Sequence, residues 1–61
     1  MSRKYLASLT RERPGGHVVA HVRGFNDTHV IVDVEHIGKK GRELVPNQNR
    51  PIARFMEDYG L

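Results

Sequence analysis

The sequence predicts an α+β fold: a three- to four-stranded antiparallel meander, able to curl into a small open barrel, with one C-terminal helix across one face. Three observations lead there. Two valine-rich runs, HVVAHVR at 17–23 and HVIVDVEHI at 29–37, alternate their apolar residues with a period of two. Turn-forming clusters, RPGG, GFNDT and GKKG, separate the runs. The final segment, NRPIARFMEDYGL, changes to helical spacing, with Ile52, Phe55, Met56 and Tyr59 at i, i+3, i+4 and i+7.

The first strand is expected at 3–10, RKYLASLT, with Tyr5, Ala7 and Leu9 on one face. RERPGG then breaks the chain. Pro14 and Gly15 suit the centre of a type II turn, because proline presets φ and glycine accepts a positive one. In the second strand, 17–23, Val18, Ala20 and Val22 share a face. In the third, 29–37, Val30, Val32 and Val34 do. β-Branched content favours strand over helix in both. Opposed residues of an antiparallel pair lie on the same face, so the two valine sets must meet. A three-residue loop, Phe25-Asn26-Asp27, satisfies this by pairing Val22 with Val30 and Ala20 with Val32. A longer loop with Phe25 opposite His29 keeps the same parity. Either loop has an odd residue count, with Asn26 or Asp27 in the left-handed region. GKKG turns the chain into a short strand at 42–45, RELV, which Pro46 is expected to stop. A helix follows at about 50–59, capped by Asn49 or Arg50, with Pro51 in its first turn and Gly60 as its C-cap. Arg54 and Asp58 are spaced as an i,i+4 ion pair.

At 61 residues the chain makes one domain, 1–61. Such a domain buries only about 60% of the surface its unfolded chain exposes, and small scaffolds often rely on a disulfide, a metal or a partner subunit. There is no cysteine, which removes disulfides and thiolate metal sites and suits a reducing compartment. No apolar run is long enough to span a bilayer, and MSRKYLASLTRER lacks the apolar core of a signal peptide. A cytoplasmic protein without membrane attachment is expected.

Four histidines, at 17, 21, 29 and 36, invite a metal-site or catalytic reading. On a strand, His17 and His21 stand about 13 Å apart at roughly 3.3 Å per residue, too far to share one ion. No serine or cysteine nucleophile accompanies them in a known pattern, and there is no phosphate loop of the Walker type. In the register above, His17 faces Glu35, Val19 faces Asp33 and His21 lies diagonal to Asp33, which makes ordinary cross-strand pairs. Neither an enzyme, nor a cofactor, nor a metal site is expected.

The formal charge is +3, with a sequence pI near 9.8, which fits acidic partners such as nucleic acid. In a meander, alternate bends lie at the same end of the sheet. Arg11, Arg13, Lys39, Lys40 and Arg42 are therefore expected to gather there, against Glu12 and Glu43. Solvated turns commonly carry lysine, so the plain reading is a surface with no ligand. The functional reading is a clamp on backbone phosphates with little sequence readout, assisted from the sheet face by Arg23 and His21.

Short runs also resemble known families. GHVVAH followed by Gly24 resembles a strand of the smallest bacterial translation initiation factor, an OB-fold RNA-binding family. FNDT and the valine and aspartate after it resemble the first hairpin of a small-subunit ribosomal protein family. A meander closed by a C-terminal helix looks like chromo-domain-like and small archaeal chromatin modules, and the barrel variant would be SH3/OB-like. These likenesses imply nucleic-acid-associated folds and assign the chain to no family.

The leading expectation is a small non-enzymatic regulatory module that binds DNA or RNA. Its rival is an accessory or inhibitory protein-interaction module that docks on a larger protein machine. It would dock by an edge strand or by the Val19/Ile31 face, which also suits a homodimer.

Overall fold

The computed structural model describes residues 5–61. Four strands, β1 (Ala7–Arg13), β2 (Gly16–Phe25), β3 (His29–Gly38) and β4 (Gly41–Pro51), precede one helix, α1 (Ile52–Asp58). The strands form one antiparallel sheet in the order β1-β2-β3-β4. β1 and β4 remain its two edges, so the sheet is an open meander and not a barrel. Among the described residues, no helix is long and apolar enough to cross a membrane.

The core lies between one sheet face and α1. Val18, Ala20 and Val22 from β2 meet Val30, Val32 and Val34 from β3, and Phe55 closes over them. Leu9, Ile52 and Tyr59 pack at its margin. The apolar stripe of α1 is therefore Ile52, Phe55 and Tyr59. Met56, expected to belong to it, is exposed, because a helix of seven residues presents only a narrow face to the sheet. The helix begins later than expected. Asn49 and Arg50 belong to β4, Pro51 occupies the N-cap without a side-chain cap bond, and the Ile52 N–H donates to the Thr28 carbonyl at 2.9 Å. At the other end, Gly60 (φ 69°) turns the chain left-handed. Its N–H donates to Glu57 O at 3.3 Å and that of Leu61 to Met56 O at 2.8 Å, the paired bonds of a Schellman motif.

The first strand starts later than the sequence reading put it and runs on to Arg13; of its expected residues, 3 and 4 lie outside the described part. Pro14 and Gly15 (φ 83°) make a two-residue turn that keeps Arg13 paired with Gly16. Tyr5 precedes the strand and crosses to the face opposite Leu9, where it stacks on His21.

Two bulges correct the remaining expectations. In β2, Arg23 is an extra residue, so Val22 pairs with Val32 and Ala20 with Val34, while Phe25 pairs with Val30. The valine register is the one the loop with Phe25 opposite His29 implies, but the bulge moves Phe25 itself opposite Val30. The actual loop is Asn26-Asp27-Thr28, and neither Asn26 nor Asp27 has a positive φ. The Asn26 side chain bends the chain instead: its Oδ1 accepts the N–H groups of Thr28 (2.9 Å) and His29 (2.8 Å). The histidine pairs shift with the register: His17 faces Ile37, Val19 faces Glu35, and His21 faces Asp33.

The second bulge lies in β4. Pro46 does not end that strand. Pro46 and Asn47 together oppose Asp33, between the pairs Val34–Val45 and Val32–Gln48. A proline is tolerated at a bulge, where no ladder hydrogen bond is asked of it. Asn47 takes the left-handed conformation (φ 56°), one that asparagine accepts more readily than most residues.

Candidate nucleic-acid interface

The bends between β1 and β2 and between β3 and β4 lie at the same end of the sheet, and the backbone chemistry there forces them close. Gly16 pairs with Gly38, and a Cβ on Gly16 would run into the Ile37 carbonyl oxygen. Around this contact runs a shallow depression of about 460 Å³ lined by residues of both bends, including Arg13, Lys39, Lys40, Arg42 and Glu43. Four of the five cations expected to cluster are thus together. Arg13, Lys39 and Lys40 make no ion pair among the described residues.

Arg11 is the exception. Strand alternation puts it on the helix-side face, opposite Val18. Its guanidinium donates to the Asp58 carbonyl at 3.2 Å, stands 3.9 Å from the Asp58 carboxylate and lies 5.4 Å above the centre of the Tyr59 ring. There it binds the C-terminal end of α1, where a cation is favoured by the exposed carbonyls. Burial pushes the Tyr59 hydroxyl pKa up, and the Arg11 charge opposes that.

A second, smaller cleft of about 120 Å³ separates α1 from the sheet. Arg11, Arg13, Arg50 and Arg54 line it, together with His36 and Asp58, over a floor of valines and Phe55. Arg13 and His36 line both clefts. The positive surface therefore runs from the hairpin bends, past Arg13, to the start of α1. Arg50 and Arg54, expected only as helix residues, also belong to this surface. The register of β4 is what brings Arg50 opposite Val30 on the helix-side face.

The opposite sheet face holds a polar network. Asp33 is 2% exposed. Its Oδ2 accepts from the Tyr5 hydroxyl (2.8 Å) and from Arg23 Nη1 (3.0 Å), and its Oδ1 from the Asn47 backbone N–H (2.9 Å). The Asn47 bond is the largest influence holding the Asp33 pKa below the ordinary value, against the opposing effect of burial. The Tyr5 hydroxyl's own bond to Asp33 raises the Tyr5 pKa. Beside it, Glu35 Oε1 lies 3.1 Å from His21 Nε2, and Glu35 Oε2 accepts from Arg42 Nη1 at 3.1 Å. An ionised carboxylate only accepts, so Nε2 is the protonated nitrogen of His21 and Nδ1 faces the Ser8 hydroxyl at 2.8 Å. These bonds hold the Glu35 pKa low, with His21 as the first cause. The Tyr5 ring stacks on His21 at 4.7 Å between centroids.

Arg23 and His21 are thus committed to internal bonds. Arg42 lines the loop-end depression, and its guanidinium donates to Glu35. No group of three or more His, Cys, Asp or Glu side chains suited to a metal ion occurs among the described residues. The network itself escaped the sequence reading. Its signal was Asp33 within VIVDVE, an acid in a valine strand, which demands partners when buried. Compared with known protein families, curated proteins and solved structures, the chain matches none.

Proposed function

We propose that this chain is a small non-enzymatic module that binds nucleic acid through backbone phosphates. The observation that carries the reading is the convergence of Arg13, Lys39, Lys40 and Arg42 around one end of the sheet. Glu43 is the one acid lining that depression and Glu35 pairs with Arg42, which leaves Arg13, Lys39 and Lys40 in excess. Lys and Arg at such a surface displace the counterions condensed on a nucleic-acid backbone, which gives affinity without sequence readout.

The aromatic residues support a backbone mode over base stacking. Phe55 and Tyr59 are packed against each other at 4.8 Å, and Tyr5 is bonded to Asp33 and stacked on His21. Phe25 alone is strongly exposed, so the protein offers no platform for successive bases. A role in the cytoplasm, as a regulatory or architectural factor on DNA or RNA, fits this chemistry and the lack of cysteine.

Duplex binding measured across a salt series tests the reading. If the four loop-end cations each meet a phosphate, log K falls with log salt with a slope of roughly −3 to −4. Affinity that is insensitive to salt refutes it. A nuclease-treated pull-down that retains one stoichiometric protein partner replaces it with docking on a protein machine.

A further inference from the structure

We propose that the 120 Å³ cleft between α1 and the sheet is a separate binding site for a phosphomonoester group. It draws on Arg50 and Arg54, which lie away from the hairpin bends, and does not depend on the loop-end contacts proposed above.

Charge is the first argument. Arg11, Arg13, Arg50 and Arg54 line a small space in which Asp58 is the one carboxylate. Arg13 and Arg50 make no ion pair among the described residues. Asp58 is shared between Arg11 (3.9 Å) and Arg54 Nε (3.5 Å). A dianion entering the cleft therefore meets a net positive site.

Donor geometry is the second. Arg11 is held by the Asp58 carbonyl and the Tyr59 ring, and Arg54 by the Asp58 carboxylate. Each guanidinium carries five N–H donors, of which these contacts use few. Planar guanidinium forks match phosphate oxygens in pairs, and two of them are already oriented before a ligand arrives.

Size is the third. Pockets that enclose a whole drug-sized ligand measure about 300–1,000 Å³, so this cleft does not take in a nucleoside. It suits a tetrahedral head group. An internal phosphodiester carries a sugar on both sides and is kept out. A monoester has one substituent, which leads away past Arg54, whose side chain is 72% exposed. The source of the group is either the 5′ end of a nucleic acid or a free phosphorylated small molecule.

The experiment uses the isotope-labelled full chain. Inorganic phosphate is titrated at constant ionic strength while the arginine Nε–H and Tyr59 signals are followed. Single strands of one sequence with a 5′-phosphate or a 5′-hydroxyl are compared in parallel. The expected result is saturable shifts at Arg11, Arg50, Arg54 and Tyr59, with those of Arg11 and Tyr59 lost in the R50Q/R54Q variant while its amide spectrum stays dispersed. If the source is a nucleic-acid end, the 5′-phosphate strand binds roughly tenfold more tightly than the 5′-hydroxyl strand. Saturation by phosphate with equal strand affinities still supports the site and assigns it to a small molecule. In the K39E/K40E variant, general strand binding falls while the phosphate shifts persist, which separates this site from the loop end. Shifts that never saturate, or that are unchanged in folded R50Q/R54Q, overturn the proposal.

Discussion

The backbone N–H of Asn47 lies 2.9 Å from Asp33 Oδ1, and this bond links the bulge of β4 to the centre of the sheet. The Arg23 bulge of β2 reaches the same carboxylate from the other side. Two irregularities, one in each strand flanking β3, thus serve one buried acid. Replacing Asp33 with alanine leaves the Asn47 N–H and the Tyr5 hydroxyl without their acceptor. A buried donor stripped of its partner costs about 1–3 kcal/mol. The D33A variant is expected to melt roughly 5–15 °C lower than the parent by circular dichroism.

Acid stability follows from the same network. In the fold, Asp33 and Glu35 both titrate below ordinary carboxylate values, held there first by the Asn47 N–H and by His21 respectively. The unfolded chain therefore binds protons before the folded one does as pH falls. The stabilisation is complete above the unfolded carboxylate values near ~4 and is lost as pH drops through the lower folded values. Thermal midpoints should be level between about pH 5 and 7 and then fall below about pH 4. D33N, melted over the same range, is expected to show a shallower acid decline.

Phe55 is the one helix residue fully inside the core. Truncating a buried phenylalanine to alanine costs about 3–5 kcal/mol. A 61-residue domain holds only about 3–9 kcal/mol in total. F55A is expected to lose α1 docking or to unfold, seen as collapsed amide dispersion, whereas M56A changes the melting temperature little because Met56 is 42% exposed.

Gly16 sets the spacing of the two basic bends. A methyl group there meets the Ile37 carbonyl, which is backbone and cannot swing aside. G16A is expected to separate the bends and to weaken nucleic-acid binding along with stability. G24A is the control: a Cβ on Gly24 meets nothing, and its binding should match the parent.

The sheet was legible because alternation is a local signal. The valines at 18, 22, 30, 32 and 34 declare one face, and Pro14-Gly15 declares the turn. The bulge was not legible, because it falls after Val22, the last core valine of β2, where no apolar alternation remains to record the change of face. Arg23 shifted every cross-strand pair beyond it. Pro46 misled for a related reason: proline reads as a strand end unless a bulge absorbs it, and that bulge depends on Asp33, thirteen residues earlier. Four members of the basic cluster followed from topology alone. Arg11 left it because strand alternation, and the pull of the α1 carbonyls, turned it to the helix side. Arg50 and Arg54 joined the basic surface only once β4 ran past Pro46.

Duplex binding by the K39E/K40E variant, measured on several unrelated sequences at one salt concentration, tests the loop-end surface most directly. Both lysines sit in a solvated turn, so the fold should survive and its melting temperature should stay close to the parent's. Affinity is expected to drop by a similar factor on every sequence. Unchanged affinity, or a loss confined to one sequence, would contradict a phosphate-binding surface at the paired bends.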